Sequence, residues 1–339
     1  MQAQVPTDPY TGLWSRVDAF DPMLVADAIE ARELVRIVVM RSTIHLVTAA
    51  DALALRAHMQ PILDDEMTIH SEHKVHLVGL DLAPIVAFAR PLLTASALTP
   101  AEIRAAMADE FPTIDPAALA LVCRNNLALV QVPPRGVWGR GGAVRTMTTE
   151  GWLGAAPEPV SPAGARRIVE RYLRAFGPAS VRDVVAWSRV DALGETMAAM
   201  VPGLRPYRNE RGVDLYDVAD GELVAPDEPA PVRFLPVYDN VLLSHRDRSR
   251  FGDDERRRGL AAAFGAKGTV LVDGIVTAAW HIVRDPDARP RAMAPATLVV
   301  EHLGPVPKRT LAAIVREGSA LVSFLAPDAS AHDVRTVAS

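Results

Sequence analysis

The chain has one cysteine, Cys123, only three lysines (Lys74, Lys267 and Lys308), and no apolar run approaching the length of a bilayer span. Each shortage excludes something. A single thiol cannot close an intramolecular disulfide, which fits a reducing compartment, and no Cys/His set has zinc-finger spacing. Without about 20 consecutive apolar residues there is no helical membrane span, and no charged-then-apolar leader opens the chain. A glycine loop able to cradle phosphate and a Ser-His-Asp spacing are also missing. A net charge of −5 rules out a generic polyanion binder, so any surface for nucleic acid must be local. With so few lysines the positive charge is carried by arginine, whose fork suits phosphate and guanine, although a GC-rich genome gives the same bias.

One further absence is local. From Pro116 to Thr149 there is no aspartate or glutamate, yet Arg124, Arg135, Arg140 and Arg145 lie within it. A segment free of carboxylates is what contact with a phosphate backbone favours; the alternative is that these arginines only solvate a hairpin.

What is present is a pattern used three times: two capped helices, then a short β-ribbon. At 339 residues, 49% of them apolar, the chain is long enough for two to four modules with sizeable cores. The middle copy is the clearest. Thr99-Pro100 caps a first helix, Asp115-Pro116 a second that runs to about Asn126, and Leu127–Val132 alternates like a strand. Pro133, Pro134 and Gly136 break that strand, and Ala143–Met147 return as its partner. The first copy has helices from Asp8-Pro9 and Asp21-Pro22, then a ribbon of Leu34–Met40 and Ile44–Val47 turning near Arg41 and Ser42. The third has helices from Ser161-Pro162, Ser180 and Leu193, then a wing from Tyr207 and Val213–Val218. Beyond the Pro-rich Ala225–Pro231 the composition turns to strands, with Asp273-Gly274 predicting a type I′ hairpin.

The fold class expected is therefore α+β: three tandem winged helix-turn-helix modules and a C-terminal β-barrel-like module. The boundaries are 1–97 for an N-terminally incomplete first module with a helical connector, 98–157 for the second, and 158–224 for the third. A linker at 225–231 leads to the β-rich domain at 232–339.

Several motifs carry a family resemblance. They are Gln2-Ala3-Gln4 before Asp8-Pro9-Tyr10 and Gly12-Leu13-Trp14, the run Met40–Val47, the run Val130–Gly139, and Leu235–Asn240 with His245, Asp247 and Arg248. Together they resemble the winged helix DNA-binding domain family that includes the AlkZ-like bacterial DNA glycosylases. The resemblance implies excision of N7-alkylated purines from double-stranded DNA, with unhooking of interstrand crosslinks in some members, and no cofactor. It maps the catalytic Gln-x-Gln motif onto Gln2 and Gln4, and a DNA-touching hairpin onto Gln131–Gly139. Family members carry a further helical stretch ahead of the Gln-x-Gln, where this chain begins. Two explanations are open: a start codon upstream, or loss of the element packing behind the glutamines. Because residues i and i+2 share a face only on extended chain, the two glutamines are expected on non-helical backbone before Asp8.

The residues expected to contact DNA are Arg41, Arg124, Gln131, Arg135, Trp138, Arg140 and Arg145. His45, within the first ribbon, either reaches the catalytic pocket or hydrogen-bonds inside its module. His70, His73 and His76 recur every three residues beside Asp64, Asp65 and Glu66, and read better as a solvated polar segment than as a metal site. The cluster of Tyr238, Asp239, Asn240, His245, Asp247 and Arg248 reads as structural at least as readily as catalytic. Three DNA modules in one chain make dimerisation unnecessary, and a cytoplasmic, nucleoid-associated monomer is expected. A non-catalytic winged-helix regulator or lesion sensor is the alternative reading.

Overall fold

Helix starts follow the capping chemistry of the sequence. The computed structural model describes residues 1–225, 227–252, 267–285, 287, 293–302 and 304–338. Asp8 opens α1 (Asp8–Trp14), and Asp21 accepts from the Met23 amide at 2.8 Å to start α2 (Pro22–Glu30). The apolar residues that follow form β1 (Leu34–Val38) and β2 (Ile44–Thr48), joined through a 3-10 turn at Met40–Ser42. Helices α3 (Ala49–Arg56), α4 (Gln60–Asp65) and α5 (Ala83–Ala95) occupy much of the stretch expected to be helical. Thr99 and Glu102 make a reciprocal capping box on α6 (Pro100–Glu110), and Asp115 caps α7 (Pro116–Asn126). The ribbon β3 (Leu129–Gln131) and β4 (Thr146–Thr148) comes next. Then follow α8 (Thr149–Leu153), α9 (Pro162–Phe176), α10 (Val181–Ser188), α11 (Asp191–Met200), β5 (Arg205–Arg208) and β6 (Asp214–Asp217).

One order of elements recurs three times: a single bridging residue, two helices and two strands. Gln2 bridges His45, Leu98 bridges Thr146, and Ala179 bridges Tyr216, each time on the second strand of the ribbon. The first two ribbons merge into one sheet of order β2-β1-β3-β4, because β1 and β3 pair antiparallel with Arg36 opposite Gln131. The third remains a separate two-stranded ribbon. Alternation sends Val35, Ile37 and Val130 into a core shared with α3, α4 and α9–α11. A second core gathers Ile85, Ala89 and Leu93 of α5 with Ile103, Met107 and Leu119, so α5 packs with the helices that follow it.

The chain divides into two compact units. Met1–Thr7, Asp21–Gly221 and Ser244–Arg246 form the first; Asp8–Phe20, Glu222–Leu243 and Asp247–Ser339 form the second. Besides α1, the second contains β7 (Arg233–Leu235), α12 (Asn240–Leu243), β8 (Gly268–Val272), β9 (Ile275–Val283), β10 (Ala296–His302), α13 (Lys308–Leu325) and β11 (His332–Ala338). Asp273 and Gly274 join β8 to β9 with φ of 49° and 74°, the pair of positive values that a type I′ turn requires.

The expected barrel is corrected to an open sheet of order β11-β10-β9-β8-β7, with no closure among the described residues. The cause is α13. It carries the chain from β10 to a parallel β11, and its Ile314, Leu321 and Val322 fill one face of the sheet where a closing wall would stand. A Cβ on Gly318 would lie 3.3 Å from Leu298 and Phe234 side chains, so glycine sets how closely the helix approaches.

Candidate active site

The Gln-x-Gln segment is extended and lies along the edge of β2. The Met1 carbonyl accepts from the Leu46 amide at 2.8 Å, and the Ala3 amide donates to the Ile44 carbonyl at 2.7 Å. Gln2 bridges His45 on this edge, and Ala3 is fully buried. Gln2 is buried and Gln4 exposed. Both side-chain carbonyls are held: Gln2 Oε1 accepts from Arg41 Nη2 at 2.8 Å, and Gln4 Oε1 from the Ile44 amide at 3.0 Å. The strand is fastened from behind as well, because Arg36 Nη2 donates to the Ala3 carbonyl at 2.7 Å.

Arg41 is the hub. Its Nη1 donates to the Trp187 carbonyl at 2.7 Å, linking the ribbon turn to the end of α10. Arg41 and Ser42 have φ of 58° and 54°, a left-handed conformation costing on the order of 1 kcal/mol or more for a non-glycine residue. The hydrogen bonds of the guanidinium offset that strain. His45 lies within the protein behind Arg41, with its Nδ1 3.0 Å from the Thr43 carbonyl and its Nε2 3.5 Å from Arg41 Nη2. Burial above all, then the terminal ammonium and Arg41, hold its pKa well below 6.5, so the ring is neutral with the proton on Nδ1. His45 makes an internal hydrogen bond through Nδ1 and also lies beside the arginine that holds Gln2.

The arginines of the carboxylate-free segment do not converge. Arg124 Nη1 donates to Glu66 Oε2 at 2.7 Å and its Nη2 to the Ser42 carbonyl at 2.8 Å. Arg140 pairs with Glu30 of α2, and Arg145 with Glu102 of α6 at 3.4 Å. Arg135 donates to the Gly142 carbonyl at 3.2 Å. Gln131 faces Arg36 across the sheet, and Trp138 is half-buried in the 132–145 loop, whose Gly139–Ala143 tip is exposed. A segment without acids along the chain thus has acids beside it in space.

Arg36 is a residue beside the Gln-x-Gln segment that sequence reading misses, although its signal is there: a lone cation inside the apolar run Leu34-Val35-Arg36-Ile37-Val38. Only 2% of it is exposed. Gly136 has φ of +95°, and a Cβ there would fall 2.7 Å from Arg36 Cδ, so the loop backbone rests directly on this side chain. Glu66 is another that sequence reading misses; rather than being merely solvated, it anchors Arg124 and accepts from Asn125 Nδ2 at 3.2 Å.

His70, His73 and His76 do not share one helix, because Ser71 is extended (ψ 143°) between a π-turn and a 3-10 turn. His73 lies 3.6 Å from Asp115, and His70 and His76 are exposed. In the second half, Asp239 accepts from the Val241 amide and from Arg16 at 2.7 Å, a cap and an ion pair. His245 belongs to the other unit, where its Nδ1 lies 2.7 Å from Ser244 Oγ.

A family model described as DNA glycosylase AlkZ-like matches residues 1–324. The chain belongs to that family. It is a DNA glycosylase, a hydrolase of N-glycosyl bonds acting on DNA in repair, which sets aside the non-catalytic regulator. The solved structure of Streptomyces sahachiroi DNA glycosylase AlkZ is similar to it, with a TM-score of 0.79 over 99% of this chain and 91% of that one. At 20% identity this similarity shows the shared α+β fold. No curated protein matches the sequence. Among the described residues, no helix of the glycosylase is long and apolar enough to cross a membrane.

Proposed function

We propose that this glycosylase hydrolyses the N-glycosidic bond of N7-alkylated purines in duplex DNA, with Gln2 and Gln4 at the reacting centre. The observation that carries the reading is that Gln2 and Gln4, on the segment along the edge of β2, each have the side-chain carbonyl oxygen held by a protein donor. Alkylation at N7 makes the base cationic, so it departs with the electron pair of the C1′–N9 bond and needs no general acid. Water adds to C1′ and its proton passes to solvent. The departing sugar is oxocarbenium-like and strongly electrophilic, so water must be placed more than activated. An amide places water through its N–H groups and remaining lone pair, and adds no negative charge to repel phosphates. Arg41 fixes the Gln2 amide, and neutral His45 backs Arg41; both are positioning residues in this scheme.

The three recurrences of bridge residue, helix pair and ribbon are read as winged helices. In that reading the Gln-x-Gln segment is the short first strand of the first copy, equivalent to Leu98 and Ala179. The exposed 139–143 tip with Arg135 and Arg140 then contacts the duplex, and the same site admits crosslinked bases.

The test is base release from duplex DNA containing N7-methylguanine, followed by strand scission at the abasic site. The Gln2→Ala/Gln4→Ala variant is expected to lose about 100-fold or more in single-turnover rate while holding duplex as tightly as the parent. Release at the parental rate by the double variant removes the glutamines from the chemistry. No release by the parent removes the substrate class.

A further inference from the structure

Every polar group of Ser42 is engaged. Its amide donates to the Val39 carbonyl at 3.1 Å, closing the ribbon turn. Its carbonyl accepts from Arg124 Nη2 at 2.8 Å, and its hydroxyl donates to Glu66 Oε2 while accepting from Arg124 Nη1 at 3.3 Å. Arg124 stands in the last turn of α7 and Glu66 directly after α4, so two distant segments grip one residue of the first ribbon. Glu66 and Arg124 also pair with each other at 2.7 Å.

The grip is mounted on a fixed frame. Asn125, fully buried, donates from Nδ2 to the Leu63 carbonyl at 2.9 Å and to Glu66 Oε2 at 3.2 Å, which ties the end of α4 to the end of α7. Its own carbonyl accepts from Arg56 Nη2 at 2.6 Å and from Gln60 Nε2 at 3.2 Å, so donors from α3 and α4 satisfy the C-terminus of α7. Leu63 packs in the first core and Met67 in the second, so the turn bearing Glu66 is anchored on both sides. A partly exposed ion pair adds little stability by itself. What distinguishes this one is its third member, the neighbour of Arg41.

We propose that Glu66 and Arg124 are positioning residues for base release, acting on Gln2 through Ser42 and Arg41. The inference rests on the reading that places Gln2 at the reacting centre. Arg41 and Ser42 are consecutive residues at positive φ, 58° and 54°, in a turn without glycine, so their backbone relaxes unless it is held. Arg41 can brace the turn itself only with the guanidinium that also fixes the Gln2 amide at 2.8 Å. The clamp on Ser42 restrains the turn from outside and leaves that fork to Gln2. A slack turn would displace it, and misplacing a water-holding group by about 1 Å can cost on the order of 100-fold in rate. The same bonds separate Arg124 from the duplex, because both of its Nη atoms already serve protein acceptors.

The experiment measures single-turnover release of N7-methylguanine by the full chain, with binding of the same duplex across a salt series. Arg124→Met and Glu66→Ala each open the clamp, so one substitution that fails to fold leaves the other, with a thermal melt reporting which are intact. Each folded variant is expected to release base about tenfold more slowly than the parent. On a Gln2→Ala background the same substitution should change the rate by less than about twofold, because it acts through Gln2. Glu66→Gln, which keeps an oxygen for Ser42 and Arg124, should return to within about threefold of the parent. A folded variant at the parental rate, or a loss that persists in full on the Gln2→Ala background, overturns the inference while leaving Gln2 in its role. A salt slope lower by about one unit in Arg124→Met returns that residue to the DNA interface and overturns it as well. No release by the parent, or parental release by Gln2→Ala, overturns the underlying reading and this inference together.

Discussion

Two sets of arginines look alike in the sequence and differ in what holds them. Arg36 is buried and Arg41 partly so, and they donate to the Ala3 and Trp187 carbonyls and the Gln2 amide. Arg140 and Arg145, 55% and 44% exposed, close onto Glu30 and Glu102. Exposed ion pairs contribute roughly 0–1 kcal/mol, so a guanidinium on the loop exchanges its carboxylate for a phosphate at little loss. Buried hydrogen bonds to carbonyls have no such replacement. The first set therefore builds the glutamine strand, and the second is available to a duplex.

That contrast orders the expected effects. Arg36→Ala should be the most damaging, lowering stability by roughly 3 kcal/mol in urea denaturation, because it strips the Ala3 carbonyl of its donor and leaves a void beneath Gly136. A loss below about 0.5 kcal/mol would place Arg36 in the exchangeable set. Arg41→Lys comes next: a single ammonium cannot reach the Trp187 carbonyl and Gln2 together, so base release should drop about tenfold with duplex affinity nearly kept. Equal losses in both would make Arg41 a DNA-binding residue instead. Arg135→Ala and Arg140→Ala should weaken duplex binding a few-fold and reduce the salt slope by about one unit for each phosphate no longer neutralised. An unchanged slope takes the loop out of the interface. The smallest effect concerns pH. His45 has a folded pKa depressed below 6.5, so its contribution to stability is present above that value and is lost as pH falls toward the folded pKa. His45→Gln should flatten the fall in melting temperature below pH 6.5; an unaltered profile assigns the acid sensitivity to other groups.

Local chemistry is legible in the sequence and long-range pairing is not. Asp21, Thr99 and Asp115 announce their helices, Asp273-Gly274 its hairpin, and the i, i+2 spacing of the glutamines their extended backbone. Nothing periodic says that β1 will pair with β3, yet that pairing puts Arg36 opposite Gln131 and merges two ribbons into one sheet. The carboxylates that meet Arg124 and Arg140, Glu66 and Glu30, are equally invisible to a scan for acids along the chain. The C-terminal strands are recognisable, but closure depends on what covers their open face, and that is α13.

The composition of the second unit has a consequence for how the protein is made. Trp14 of α1 stacks on Phe324 of α13 with ring centroids 6.0 Å apart, so a helix near the start of the chain is completed by one near its end. At about 5–20 residues per second, a ribosome supplies the partner of α1 on the order of tens of seconds after α1 itself. Helix α1 is made well before α13 and is housed only after it, so a premature stop before α13 would be felt just along the chain from Gln4.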